Sequence, residues 1–536
     1  MVVSWRRIAH AISMQSRARA AQPARTVVLN GAPLTPAEVH AVAVLGARLR
    51  LAPIARRRVA ACRRALLSAA NDGEPHYGIN TGFGSLAHRR IAPAQLVQLQ
   101  RNLIRSHAAG AGAPLPEPVV RGTMLCLAAS LARARSGVRP LVIDRLLAFL
   151  NTGLTPVVPE LGSVGASGDL APLAHIALTL MGEGRVFFRG REVATADALR
   201  RARLAPVEFA AKEGLALING THLMAARLAL LRVQWENLLP AALVATAMSL
   251  DACRATDAFL DPRVYLARNQ PGATAVAAEL RRLIRGSRIL PSHRKNDPRV
   301  QDPYSFRCAA IVLGAVCDSL AGVWSALTHE LGAVTDNPLV FPTPRARRRE
   351  AAIVSAGNFH GMPVALPLDI LAVGLAHVAG IAERRVYHMI SAFDPEAHLN
   401  PFLTPHPGLE SGLMITQYTA AAACNELIGL AAPASVINLS TCAGMEDYNS
   451  FGPRAAAKAE RALDLATTVV AIELLCGAQG LEPHRPLHSS HAVEAAHALI
   501  RRRVKKLTAD RPLAPDIEAI RQLISTGGFG RISRVL

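Results

Sequence analysis

The sequence predicts a mainly α-helical protein, in which a bundle of long helices follows a mixed, loop-rich N-terminal domain. Three observations lead there. Hydrophobic residues make up 51% of the 536 residues but aromatics only 4%, so alanine and leucine dominate the apolar positions, and both favour helix. From Met224 onward, Ala/Leu-rich runs recur with Pro and Gly at their joins, at Met224 to Leu250, Ala309 to Leu331, Pro363 to Ile390, Met414 to Leu430 and Ala455 to Leu481. Helices of that length pack as a bundle whose sites are built from facing side chains. Before Leu223 the pattern differs: short helical periods alternate with Gly-rich loops, and Thr26 to Leu29 and Arg185 to Phe188 read as isolated strands. The domain expectation is therefore 26–223 followed by 224–536.

The first 25 residues are basic and carry no acid. They read as an N-terminal extension without fixed structure, or as an upstream start with initiation at Met14. The eight cysteines are scattered, with no Cys-x-x-Cys pair, which argues against a disulfide framework or a zinc site and suits a reducing, cytoplasmic setting. The most apolar stretch, Val364 to Ile381, carries Asp369 and His377 and reads as a buried bundle helix rather than a membrane span. The net charge of +21 comes almost wholly from arginine, in clusters such as Arg56 to Arg58, Arg345 to Arg349 and Arg501 to Lys506. No cluster interleaves aromatics for base stacking, so a solvated basic face is read here and no nucleic-acid partner is expected. Arg345 to Arg349 reads as a loop tip. Lysine occurs only at 212, 295, 458, 505 and 506, none in a pyridoxal-phosphate motif.

The most informative stretch is Gly162-Ser163-Val164-Gly165-Ala166-Ser167-Gly168-Asp169-Leu170. Attack of the Gly168 amide nitrogen on the Ala166 carbonyl carbon would close a five-membered ring. Loss of water, including the Ser167 hydroxyl, would leave a methylidene-imidazolone, an electrophile. Glycine lacks the Cβ that would obstruct the approach, serine supplies the leaving hydroxyl, and alanine leaves the carbonyl uncrowded. Apolar residues at Leu170, Leu173, Ile176, Ala177 and Leu180 predict a helix over 169–181, with Pro172 tolerated in its first turn. The ring would then lie at a helix N-terminus, where the dipole favours a group gaining negative charge.

Three small residues alone are only a turn. The surrounding segment, Val157-Val158-Pro159-Glu160 through Asp169-Leu170-Ala171-Pro172-Leu173-Ala174-His175, resembles the signature of the histidine, phenylalanine and tyrosine ammonia-lyases. A second segment, Tyr77-Gly78-Ile79-Asn80-Thr81-Gly82-Phe83-Gly84, matches another signature of that family. The resemblance runs from about Val27 to near the C-terminus and implies a fumarase/aspartase-like helical fold. It also implies a ring formed from Ala166-Ser167-Gly168, no external cofactor, no metal, and a homotetramer whose sites are shared between subunits.

Ammonia elimination from an α-amino acid needs an electrophile for the amine, a base for the β-proton, a cation for the carboxylate and a side-chain pocket. The resemblance assigns Tyr77 as the base, a role that requires a lowered pKa. It places Gln301, Tyr304 and Arg307 in a substrate-clamping segment, where arginine can pair bidentately with a carboxylate. Asn219 matches the asparagine beside the imidazolone, and Phe359 the ring that borders it. Ser106-His107, Met414 and Glu446 match histidine lyases, and the resemblance counts Glu446 with the catalytic residues. A carboxylate suits an imidazole but is costly against a phenyl ring. Departures at His222, Met362, Ile437-Asn438 and Gly444 to Asn449 leave tyrosine or phenylalanine, and a 2,3-aminomutase outcome, open beside histidine to trans-urocanate.

Overall fold

A computed structural model describes residues 26–70, 74–82, 84, 89–295, 297–342 and 351–533. The N-terminal extension, Phe83 and the expected loop tip at Arg345 to Arg349 lie outside them. The protein is mainly helical, and the expected long helices form at His222–Ala252, Ala309–Glu330, Met362–Ser391, Met414–Ala431 and Gly452–Gly480. Both expected strands form as well. Val27–Leu29 pairs in parallel with Leu49–Leu51, and Arg185–Phe188 pairs antiparallel with Arg191–Ala194 and Thr155–Pro156.

The chain divides into two compact units. One takes residues up to Leu230 with Ser325–Leu368 and Ala434–Ala456; the other takes Leu231–Trp324, Asp369–Pro433 and Ala457–Leu536. This differs from the single boundary expected near residue 223. Four of the long helices contribute residues to both units. Helical periodicity reports which face of a helix is buried, not which neighbours bury it, so a change of unit within one helix leaves no mark in the pattern.

In the first unit, Pro36–Ala43 starts with a capping box: the Thr35 hydroxyl accepts from the Glu38 N–H (3.2 Å) and the Glu38 carboxylate accepts from the Thr35 N–H (2.9 Å). Glu117–Ala132 is buried along almost its whole length. Ala111–Pro114 pairs with Pro159–Leu161. That strand leads directly into Gly162–Asp169, and the chain then enters the Leu170–Leu180 helix, within one residue of the expectation at either end.

The second unit is organised by a wholly buried ion pair. Arg385 donates to Glu473 through Nε (2.6 Å) and Nη2 (3.0 Å), and neither side chain is exposed to solvent. The Ser249 hydroxyl donates to the same carboxylate (2.7 Å), and Arg385 Nη1 donates to the Ser305 carbonyl (3.1 Å). Three helices and the Tyr304–Arg307 turn are thereby joined. Ala309–Glu330, Met362–Ser391 and Gly452–His484 are long and apolar enough to cross a membrane by length and composition alone. Two of them, however, carry Arg385 and Glu473, paired inside the protein.

Arg385→Ala should cost about 3–5 kcal/mol, because it leaves Glu473 charged and unpaired in the interior. Urea unfolding measures this. A loss below about 1 kcal/mol, the value of a surface pair, would contradict this role.

Candidate active site

The Gly162–Asp169 loop is held by hydrogen bonds to four of its carbonyls and from the Asp169 N–H. The Val164 carbonyl accepts from Phe451 N–H (2.8 Å), and the Gly165 carbonyl from Gly361 N–H (3.1 Å) and the Ser450 hydroxyl (3.1 Å). The Ser167 carbonyl accepts from Gly220 N–H (3.3 Å), the Gly168 carbonyl from the Ser163 hydroxyl (3.0 Å), and Asp169 N–H donates to the Gly220 carbonyl (2.8 Å). Among the described residues, the Ala166 carbonyl and the Gly168 N–H make no hydrogen bond. These are the two groups that ring closure would join. Gly165 and Gly168 both adopt φ +76°, and a Cβ on Gly168 would overlap the Gly220 carbonyl. Glycine is therefore required at 168 by backbone conformation and by close approach.

Asn219 follows the short Glu213–Ile218 helix and sits beside this loop through the Gly168–Gly220 pairing. Its side chain is 3% exposed, and its Oδ1 has no partner among the described residues. An orphaned buried acceptor is costly, and a polar group of the loop's own chemistry would satisfy it. The glycine cradle, the two unengaged reacting groups and this acceptor all fit an imidazolone at 166–168.

Ser167 donates its hydroxyl to Glu446 Oε1 (2.8 Å). The other carboxylate oxygen accepts from the Thr441 hydroxyl (2.9 Å), and Thr441 and Glu446 also pair through their backbones. Glu446 is close enough to Tyr77 and His107 for its charge to act on both. Phe359 is half-buried on the 357–360 turn, two residues before the Gly361 N–H that holds the Gly165 carbonyl. His360 Nδ1 accepts from Met362 N–H (3.3 Å), which leaves Nε2–H to donate to the Tyr448 carbonyl (2.9 Å). This joins the Phe359 turn to the segment carrying Glu446.

His107 ends the Leu96–His107 helix. Its Nδ1 lies 2.9 Å from the Leu103 carbonyl, which can only accept. Nδ1 therefore carries the proton, and Nε2 keeps its lone pair. Burial lowers the His107 pKa, against the opposing pull of the Leu103 carbonyl and Glu446, so the ring is neutral at neutral pH and its free nitrogen is an acceptor.

Tyr77 departs from expectation. Its hydroxyl oxygen accepts from Gly84 N–H (3.2 Å), which favours the phenolate, but burial outweighs this, and Glu446 and Cys442 push the same way. The net shift is upward. The described neighbours thus do not supply the lowered pKa that a tyrosine base needs.

Gln301, Tyr304, Arg307 and Met414 belong to the second unit. Their segment is firmly held there: Asp302 accepts from the Thr256 N–H (2.8 Å) and hydroxyl (2.7 Å), and the Ser305 carbonyl is bound by Arg385. The side chains proposed to bind substrate are not held in this way. Tyr304 is 70% exposed, Gln301 is exposed, and the Arg307 guanidinium stacks 4.5 Å from the Tyr304 ring with its Nε lacking a partner among the described residues. Met414 opens the Met414–Ala431 helix.

Residues 34–502 match the sequence profile described as aromatic amino acid lyase. The chain belongs to the aromatic amino acid lyase family. Among relatives of this lyase family, a histidine ammonia-lyase of Anaeromyxobacter sp. (strain K) is 48% identical over 514 residues, covering 94% of this chain and 99% of the relative. The crystal structure of histidine ammonia-lyase from Trypanosoma cruzi superposes with a TM-score of 0.86 at 36% identity, covering 95% of each chain. Tyrosine aminomutase from Streptomyces globisporus gives a TM-score of 0.88 at 33% identity, over 95% of this chain and 98% of the other.

Sequence reasoning passed over Thr441, which has no motif to mark it, and gave Asp169 no role. A carboxylate beginning an otherwise apolar helix was the available signal for Asp169. It is fully buried, and its Oδ2 accepts from the N–H groups of Leu223 (2.9 Å) and Met224 (3.2 Å), fastening the loop to the start of the His222–Ala252 helix. Burial pushes its pKa up to about 7. Between about pH 4 and pH 7 the unfolded chain has released this proton while the folded one retains it. The wild type should therefore lose stability relative to Asp169→Asn as pH rises through that window. Urea unfolding across it measures the difference, and a constant difference would contradict the assignment.

Proposed function

We propose that this protein is an ammonia-lyase that converts L-histidine to trans-urocanate and ammonia in the cytoplasm. The observation that carries the reading is its full-length similarity to histidine ammonia-lyases. The chemistry of the first unit supports it. A neutral His107 offers an imidazole acceptor, and Glu446 offers a carboxylate, to a side chain that itself carries N–H groups. A phenyl ring would give that carboxylate no partner.

In this reading the imidazolone built from Ala166-Ser167-Gly168 supplies an electrophile that allows the amine to leave as ammonia. Tyr77 takes the proton from the substrate Cβ. Arg307 pairs with the substrate carboxylate, stacked on Tyr304 so that its fork is fixed in direction. Gln301 and Tyr304 donate to the same end of the substrate, Asn219 and Phe359 border the ring, and Met414 and His107 frame the imidazole. Gln301, Tyr304, Arg307 and Met414 reach the site from neighbouring subunits of a homotetramer. A guanidinium delivered in this way also supplies the cation needed to bring down the Tyr77 pKa.

The test is to offer the purified protein L-histidine, L-tyrosine and L-phenylalanine and to identify each product. trans-Urocanate and ammonia from histidine are expected. Cinnamate or coumarate as the main product, or a β-amino acid, would replace the histidine-lyase reading. Ser167→Ala should abolish nearly all activity, and Tyr77→Phe should lower kcat by about 10²–10⁴-fold. Full turnover by either variant would contradict its assigned role. Sedimentation should give a tetramer, and an active monomer would exclude the shared site.

A further inference from the structure

The bonds that hold the Ala166-Ser167-Gly168 loop fall into two kinds. Those from Phe451, Gly361 and Ser450 each fix one carbonyl from outside, and Gly220 brackets Gly168 from outside by donating to the Ser167 carbonyl and accepting from the Asp169 N–H. Ser163 acts differently. Its Oγ donates to the Gly168 carbonyl (3.0 Å) and accepts from the Gly165 N–H (3.3 Å). One hydroxyl thus bridges the two ends of the four-residue turn that contains the tripeptide. Its contacts draw Gly168 toward Gly165 and leave unengaged the Gly168 N–H and the Ala166 carbonyl that lie between.

We propose that Ser163 is a positioning residue for formation of the imidazolone, holding the turn in the conformation from which the Gly168 nitrogen reaches the Ala166 carbonyl carbon. The inference rests on the ring reading above. In the reaction that Ser163 positions, a bond forms between Gly168 N and Ala166 C. The protons from that nitrogen and from the Ser167 N–H leave with the Ala166 carbonyl oxygen as one water, and a C=N bond forms between Ala166 C and Ser167 N. The Ser167 Cα proton and the Ser167 hydroxyl leave as a second water, giving the Cα=Cβ bond. No oxidant or other reactant is needed. Ser163 is not consumed and touches neither bond. Its contribution is orientation, which for an intramolecular condensation governs the rate.

The experiment reads the mass of the peptide containing Ser167 in freshly folded protein, and then over time, for the wild type, Ser163→Thr, Ser163→Cys and Ser163→Ala. Thr keeps the hydroxyl and should lose two waters at the wild-type rate. Cys keeps the shape but hydrogen-bonds weakly, and should lag. Ala should lag most, on the order of tenfold, the worth of a typical hydrogen bond. Melting temperatures run alongside, since a merely structural role would lower stability without slowing water loss in the folded fraction. Ser163→Ala reaching the two-water loss as fast as the wild type overturns the proposal. If Ser163→Ala does not fold, Ser163→Cys maturing at the wild-type rate overturns it equally. Absence of the loss in the wild type itself would instead overturn the ring reading, so the two failures are distinguishable.

Discussion

A loop whose carbonyls at 164, 165, 167 and 168 are held from several sides, while the two groups that must react are not, is the constraint on which the rest of this molecule depends. Hydrogen bonds from Phe451, Gly361, Ser450, Gly220 and Ser163 fix the carbonyls of 164, 165, 167 and 168. Among the described residues, the carbonyl of Ala166 and the N–H of Gly168 make no hydrogen bond. Apart from Ser163, the partners of the held carbonyls come from chain segments far apart in sequence, near 220, 360 and 450. Much of the first unit therefore serves to bring those three segments to one turn, and the two returns of the chain to that unit, at 325–368 and 434–456, are what make it possible.

The same returns set the surrounding chemistry. The segment that supplies Ser450 also supplies Glu446, and the turn that supplies Gly361 also supplies Phe359. Glu446 is oriented by Thr441, while His107 is oriented by its own helix through the Leu103 carbonyl. Glu446 thus meets the Ser167 hydroxyl with one oxygen and Thr441 with the other, while His107 commits Nδ1 to its helix and keeps Nε2 as an acceptor, so both side chains are preorganised. Asn219 Oδ1, beside the loop, is buried without a partner among the described residues.

The sequence was most readable where local rules act. Apolar periodicity placed the long helices to within a few residues, and the Gly-rich motifs located Ser167, Tyr77 and Asn219. The two-unit division was not readable, because a helix changing neighbours part-way keeps its period. Nor was Thr441, since a hydroxyl five residues from a carboxylate carries no pattern. Tyr77 is the instructive case. Its motif pointed to a base, yet the described surroundings raise its pKa, because burial and the nearby Glu446 charge outweigh a single N–H donor. A role assigned by motif can thus need a lower pKa than the described neighbours supply.

A high-resolution crystal structure of the purified protein tests most directly whether residues 166–168 of this lyase become a ring. Continuous density joining Gly168 N to Ala166 C, with no oxygen on the Ser167 side chain, is the expected result. An open tripeptide with its serine hydroxyl intact in catalytically active crystals would contradict the account.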